Sequence, residues 1–244
     1  MAFLPGYAAK IFANEFAVCA TVNAWTVTHN RAASEVTAMC QTAGLAGTSY
    51  VPGLKSGQIT LAGPQDSTGQ NLHSELLNTA AADNALQVTI LPDGDAVGKW
   101  AMFATLDVTD HATDASVTDA VSFSATAVAD ESVDMGFVLH ALGAETADAD
   151  GTSVDRGVGV STTLGLVAAV HVTAYSGLTS LELKIQHSTD NSSWSDLVSF
   201  TSITGVGNQI VKVATGTTVN RYLRTVTDVT GTGSVTFLAA AAPR

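Results

Sequence analysis

Apolar and polar positions alternate with a period of two along most of the chain. In the first half, residues 17–28, 57–62, 86–91, 100–109, 121–128 and 136–142 are short runs rich in Val, Ile, Thr and aromatic side chains, bounded by Gly, Pro, Asp and Ser. That is the pattern of strands with one buried face. The second half carries six more such runs, at 164–175, 181–188, 194–200, 209–214, 222–229 and 234–240. The alternation is cleanest where Leu181, Leu183 and Ile185 face one way and Glu182, Lys184 and Gln186 the other, as a sheet with one wet face requires. Short strands at this spacing predict an all-β fold: a β-sandwich or barrel in the first half, then a smaller immunoglobulin-like sandwich.

One segment breaks this period. Leu72, Leu76, Leu77 and Ala80 recur at helical spacing, Asp66 to Thr68 offer a cap, and Asp83 and Asn84 close the run, so one amphipathic helix is expected to flank the sheet. Residues 34–44 place Val36, Met39, Cys40 and Ala43 at i, i+3, i+4 and i+7; they read equally as a short helix or as the extended arm of a long hairpin. Between Ala144 and Arg156 the residues are small and acidic, with Asp150-Gly151 in the middle, the composition of a linker or turn. A boundary there divides the chain into residues 1–145 and 146–244, each the size of an ordinary domain.

Hydrophobic residues are 46% and charged residues 13% of the 244, with mean hydropathy +0.26, which excludes a disordered chain. Aromatic residues are only 6%, which suits thin β-layers better than a deep coenzyme cleft. No run reaches the roughly 18 apolar residues of a membrane span, and the first residues lack a basic segment followed by an apolar one. Neither a membrane location nor export by that route is expected. With 22 acidic and 10 basic side chains, net −12, the chain does not attract phosphate backbones. The acidity is uneven: residues 1–145 hold 15 acidic and four basic side chains, net −11, and residues 146–244 hold seven and six, net −1. Asp107, Asp110, Asp114, Asp119, Asp130, Glu131 and Asp134 recur through one region, either as a solvated face or as a surface that repels an anion.

Candidate chemistry is sparse. His29, His73, His111, His140, His171 and His187 show no HExxH or Hx3–5H spacing, so structural or surface roles are expected and no metal ligands are assigned. Cys19 and Cys40 have no CxxC partner and read as buried free thiols of a reducing compartment. No GxSxG elbow, GxGxxG loop or phosphate loop occurs; Gly157-Val-Gly159 lacks the third glycine, and no catalytic or cofactor-binding residue is assigned. Asp148-Ala-Asp150-Gly151 and Asp93-Gly94-Asp95 resemble fragments of calcium loops but stop short of the remaining oxygen ligands and read as turns. Asn191-Ser-Ser reads as a polar hairpin turn. Trp194, with Tyr175 and Tyr222, is a candidate sugar platform or, on the plainer reading, core packing.

The order of features from residue 1 to about 142 resembles the major tail tube proteins of long-tailed, siphophage-like bacteriophages. The likeness is carried by AWTVTHNRAASEV (24–36), SYVPGLKSGQITLAG (49–63), the helix, LPDGDAVGKWAMFATLDVT (91–109) and VSFSATAVADESVDMGFVL (121–139). LELKIQHSTDNSSW (181–194) and VNRYLRTVT (219–227) are similar to small β-sandwiches that phage structural proteins append to tube or capsid subunits. The resemblance implies a virion structural protein without enzymatic activity or cofactor, assembled in the cytoplasm of a bacterial host. Its subunits would form hexameric rings that stack into a tube, meet other tail or neck proteins, and pass viral DNA without binding it. The second sandwich would sit outside, and no membrane is involved. Two other readings are a capsid decoration or neck protein, and a carbohydrate-binding adhesin using Trp194. Elementary physics supports a conduit: neighbouring copies would cover exposed strand edges, and a negative bore repels DNA over a Debye length of about 8 Å.

Overall fold

The structure, a computed structural model, describes residues 6–19, 21–35, 50–65, 71–81, 85–158 and 160–244. After a 3-10 turn at Gly6–Ala8 come strands β1 (Lys10–Ala13), β2 (Phe16–Ala17), β3 (Ala24–Glu35) and β4 (Tyr50–Pro64). Helix α1 (Asn71–Ala81) follows, then β5 (Leu86–Leu91), β6 (Trp100–Asp114), β7 (Ser122–Ala129) and β8 (Asp134–Glu145). The second half contributes β9 (Ala149–Asp150), β10 (Val154–Asp155), β11 (Leu166–Ser188), β12 (Ser195–Ser199), β13 (Gly207–Val213) and β14 (Tyr222–Pro243). The fold is all-β, as the alternation predicts, with one α-helix among the described residues. The strands join one sheet in the order β12-β11-β14-β8-β6-β5-β1-β2. A ribbon β3-β4-β7 is attached to it through the β7 to β6 ladder.

Four of the six strands expected in the second half are really two. Residues 166–175 of the first run and 181–188 belong to the single strand β11, and 222–229 and 234–240 to β14; the two pair from Leu166↔Pro243 to Ser188↔Tyr222. Serine and glycine at 176–177 and glycines at 231 and 233 look like turn signals, but they form bulges inside a continuous ladder. Gly177 and Gly231 have positive φ, 75° and 101°, which suits glycine. At Gly233 a Cβ would lie 2.0 Å from the Ser176 carbonyl oxygen. Both arms of the ribbon on either side of these bulges feed one core, Leu166, Ala168, Val170 and Val172 from one arm and Leu181, Leu183 and Ile185 from the other.

Two further differences concern the first half. The run 17–28 is interrupted between β2 and β3. In α1 the buried side chains are Leu72, Leu76 and Thr79, a stripe at i, i+4 and i+7, whereas Leu77 and Ala80 face outward. The helix meets the sheet with so narrow a stripe that Leu76 takes the buried place and its neighbour Leu77 is left exposed. The proposed caps at 66–68 and 83–84 lie outside the described residues, as do Cys40 and residues 36–44 of the open segment; Ser34 and Glu35 belong to β3.

The faces of β5 and β6 separate two cores. Leu86, Val88, Ile90, Ala104 and Leu106 point toward α1, β4 and β7. On the other side Leu91, Ala101 and Phe103, with Phe12, pack against Val167, Ala169, Leu238, Ala240 and Ala242. Residues 1–145 and 146–244 therefore share a core and, through the β8 to β14 ladder, a sheet.

Candidate interaction surfaces

The seam between the two halves is held differently at its two ends. At one, Asn14 turns β1 into β2 with φ 50°; its N–H donates to the Gln87 carbonyl of β5 at 2.8 Å and its Oδ1 accepts from the Gln87 N–H at 3.0 Å. Beside them His171 of β11 is 1% exposed. Its Nδ1–H donates to the Asn14 carbonyl at 2.5 Å, which leaves Nε2 to accept from the Thr89 hydroxyl at 2.7 Å. Asn208 of β13 donates to Gln87 Oε1 at 3.0 Å and to Asn14 Oδ1 at 3.1 Å. Asn14 Nδ2 reaches on to the Glu75 carboxylate of α1. Burial lowers the pKa of His171 to about 4, opposed in part by its bond to Asn14, so the ring is neutral at pH 7.

At the other end, Lys212 of β13 pairs with Glu131 at 2.8 Å, and Arg244 bridges Glu131 at 3.1 Å and Asp134 at 3.0 Å. Hydrogen bonds from Lys212 and then Arg244 lower the Glu131 pKa. The acidic run of the sequence is thus two populations. Glu131 and Asp134 close the seam. Asp130 after β7, and Asp107, Asp110 and Asp114 on β6 with Asp119 in the turn after it, are exposed and make no ion pair among the described residues.

The carboxylates of Asp107, Asp110, Asp114 and Asp119 lie on the β6–β7 hairpin. Beyond Leu106, β6 pairs with β7 alone, and the three strand carboxylates spread over roughly 23 Å at a strand's rise per residue. Their spacing is comparable with the Debye length of about 8 Å, so their fields merge into one negative strip. In the ribbon β3–β4, residues 30–35 and 50–56 are exposed, including Tyr50, Val51 and Leu54, and the outer edge of twelve-residue β3 has no partner strand among the described residues.

The remaining sequence candidates fall elsewhere. Cys19 is exposed rather than buried. It sits in the loop after β2, where its Sγ accepts from the Ile11 N–H at 3.1 Å, because the chain leaves the sheet there instead of continuing as a strand. Asp95 pairs with Lys10, Asp93 with Lys99 and Asp150 with Arg224, and Asp148 accepts from the Val229 N–H; each stabilises a local turn or ladder end. In the hairpin before β12, Asp190 accepts from the Ser192 and Ser193 N–H groups at 2.9 Å, which lowers its pKa, and Asn191 takes φ 61°. Trp194, Tyr175 and Tyr222 form no common platform: Arg224 covers Trp194 at 4.4 Å, Arg221 covers Tyr222 at 4.8 Å, and the Tyr175 hydroxyl donates to the Ile203 carbonyl. His140 stacks on Phe237 and contacts Glu145, while His29 is exposed on β3 and the His187 Nδ1 accepts from the Asn220 N–H. His73 and His111, 38 positions apart in sequence, lie side by side, a pairing no local spacing reveals. No helix among the described residues is long and apolar enough to cross a membrane.

No protein-family model matches the sequence, and no curated protein matches it. Solved structures with a similar fold include the virion of a native gene transfer agent particle, with TM-score 0.43 and 12% identity over 53% of this chain and 95% of that one. A second is the tail of an empty gene transfer agent particle refined with C6 symmetry, with TM-score 0.38 and 11% identity over 46% of this chain and 80% of that one. A third is the SPP1 Dit protein, described as a hub adsorption apparatus of phages, with TM-score 0.35 and 11% identity over 96% of this chain and 99% of that one.

Proposed function

We propose that this chain is a structural subunit of a phage-type virion tail, acting by self-assembly rather than catalysis. Copies would join edge to edge into rings, hexameric on the tail-tube reading, and rings would stack into a tube whose bore is lined by the β6–β7 hairpin. The observation that carries this reading is the pairing of an open β3 edge with a strip of four exposed, unpaired carboxylates. An edge of that length is an association hazard for a lone molecule and an asset for one that pairs with its neighbour. A negative strip kept free of counter-charges suits a wall that phosphate must slide past. Residues 146–244, nearly neutral, would face outward, and the partners would be other copies, further tail or neck proteins, and DNA passing without specific contacts.

Electron microscopy of the purified full chain across a concentration series tests this. Rings or tubes are expected; a stable trimer would favour capsid decoration or a neck role, and a monomer at every concentration would overturn the assembly reading. The glycan-binding alternative gains nothing from Trp194, whose face is occupied by Arg224.

A further inference from the structure

Two of the buried nitrogens that lack a hydrogen-bond partner lie on neighbouring rings, Nδ1 of His73 and Nε2 of His111. His73 is on α1 and His111 on β6, each ring half-buried, with centroids 5.0 Å apart and planes inclined at 55°. Native structures satisfy nearly all buried polar atoms, so an orphaned pair calls for an explanation. These two nitrogens do not hydrogen-bond to each other, since both remain unpaired. Nor are they stacked: the stacked pair in this protein, His140 and Phe237, has centroids 4.0 Å apart and planes at 16°.

We propose that His73 and His111 form a two-imidazole site for a divalent transition-metal ion. A metal–nitrogen bond of about 2.0–2.1 Å, extended by a ring radius of about 1.2 Å, puts each centroid about 3.2 Å from the ion, and a tetrahedral angle between the two bonds then separates the centroids by about 5 Å. The observed 5.0 Å is compatible with that separation, and side-chain rotation about the existing backbones would turn the two nitrogens onto the ion. Asp107, Asp110 and Asp114 on the same strand as His111 supply a negative field favourable to a cation. Among the described residues no group of three or more His, Cys, Asp or Glu side chains comes together, so the chain provides two ligands and water completes the shell. Nitrogen ligands select Cu²⁺, Ni²⁺ and Zn²⁺, with Cu²⁺ bound most tightly, and reject Mg²⁺ and Ca²⁺, which require oxygen. A bound ion would tie α1 to β6. The proposal is independent of the assembly reading.

Calorimetric titration of the full chain with NiCl₂, CuCl₂ and MgCl₂, its thiols first alkylated so that Cys19 and Cys40 do not compete, tests it. One Ni²⁺ per chain, tighter Cu²⁺ and no Mg²⁺ are expected. Both His73→Gln and His111→Gln should weaken Ni²⁺ at least tenfold, and Ni²⁺ should raise the thermal midpoint of the wild type but of neither variant. Unchanged affinity in both variants, or no Ni²⁺ binding at millimolar concentration, overturns the site and leaves a bridging water as the partner of the two nitrogens. If a glutamine variant fails to fold, electron paramagnetic resonance of Cu²⁺ on the wild type decides instead: coupling to two imidazole nitrogens is expected, and coupling to one or none contradicts the proposal.

Discussion

Replacing His171 separates the energetics of the seam from those of the rest of the fold. In the folded chain its pKa is lowered to about 4, chiefly by burial, from an ordinary value of 6.5. The unfolded chain therefore binds more protons than the folded one between these values, and stability falls as pH drops through that window. Integrating the linkage relation gives a loss of about 2 kcal/mol at pH 5 and about 3 kcal/mol at pH 4, relative to pH 7.5. A second N–H on the buried ring would have to reverse the bond to the Thr89 hydroxyl at 2.7 Å and would face the Gln87 side-chain nitrogen at 3.3 Å. His171→Gln does not titrate. It should be about 1–3 kcal/mol less stable than wild type at pH 7.5, because it disturbs the bonds to Asn14 and Thr89. That gap should close or invert by pH 4. His111 and His187, also lowered by burial, and the lowered carboxylates Glu131 and Asp196 titrate in both proteins and cancel in the difference. Urea unfolding followed by tryptophan fluorescence at pH 7.5, 5 and 4 measures it. A gap that stays constant across this range would refute the description of His171 as a neutral, fully bonded core residue.

Other expectations follow from the same structure. Phe103→Ala removes a 0% exposed ring from the core shared by the two halves and should cost about 3–5 kcal/mol in chemical unfolding. Gly136→Ala places a Cβ 2.0 Å from the Ala241 carbonyl oxygen, where two backbones must part, so a loss of about 2–4 kcal/mol and a matching drop in thermal midpoint are expected. Truncation after residue 145 strips Val167, Ala169, Leu238, Ala240 and Ala242 from Phe12 and Phe103; size-exclusion chromatography should show aggregate rather than a folded monomer. Reversing Asp110, Asp114 and Asp119 to lysine should leave assembly intact, since none has an ion-pair partner to lose, while the resulting tubes should retain DNA in a filter-binding assay that wild-type tubes pass.

What the sequence made legible follows from the range of each signal. Alternation is local, so Leu86–Leu91 and the all-β class were readable directly. The length of β11 and β14 was not, because a glycine bulge inside a long ladder and a glycine turn between two strands have the same composition; only the partner strand, with its own glycines at 231 and 233 opposite 176–177, distinguishes them. The acidic run was visible as composition, but its division into seam-closing Glu131 and Asp134 and unpaired Asp107, Asp110, Asp114 and Asp119 depends on where Lys212 and Arg244 arrive from the far end of the chain. His171 and Gln87 form a polar contact across 84 positions, and each is an unremarkable residue in its own strand. Cys19 illustrates the converse error: apolar neighbours in sequence do not bury a side chain where the strand ends.

The central claim is that copies of this chain surround a negative bore. A cryo-electron-microscopy reconstruction of the assembled protein tests it directly, through the position of one hairpin. The account predicts Asp107, Asp110, Asp114 and Asp119 on the inner wall and the outer edge of β3 hydrogen-bonded to the adjacent copy; an inner wall carrying Arg31 and Lys55, or a β3 edge open to solvent in the assembly, would contradict it.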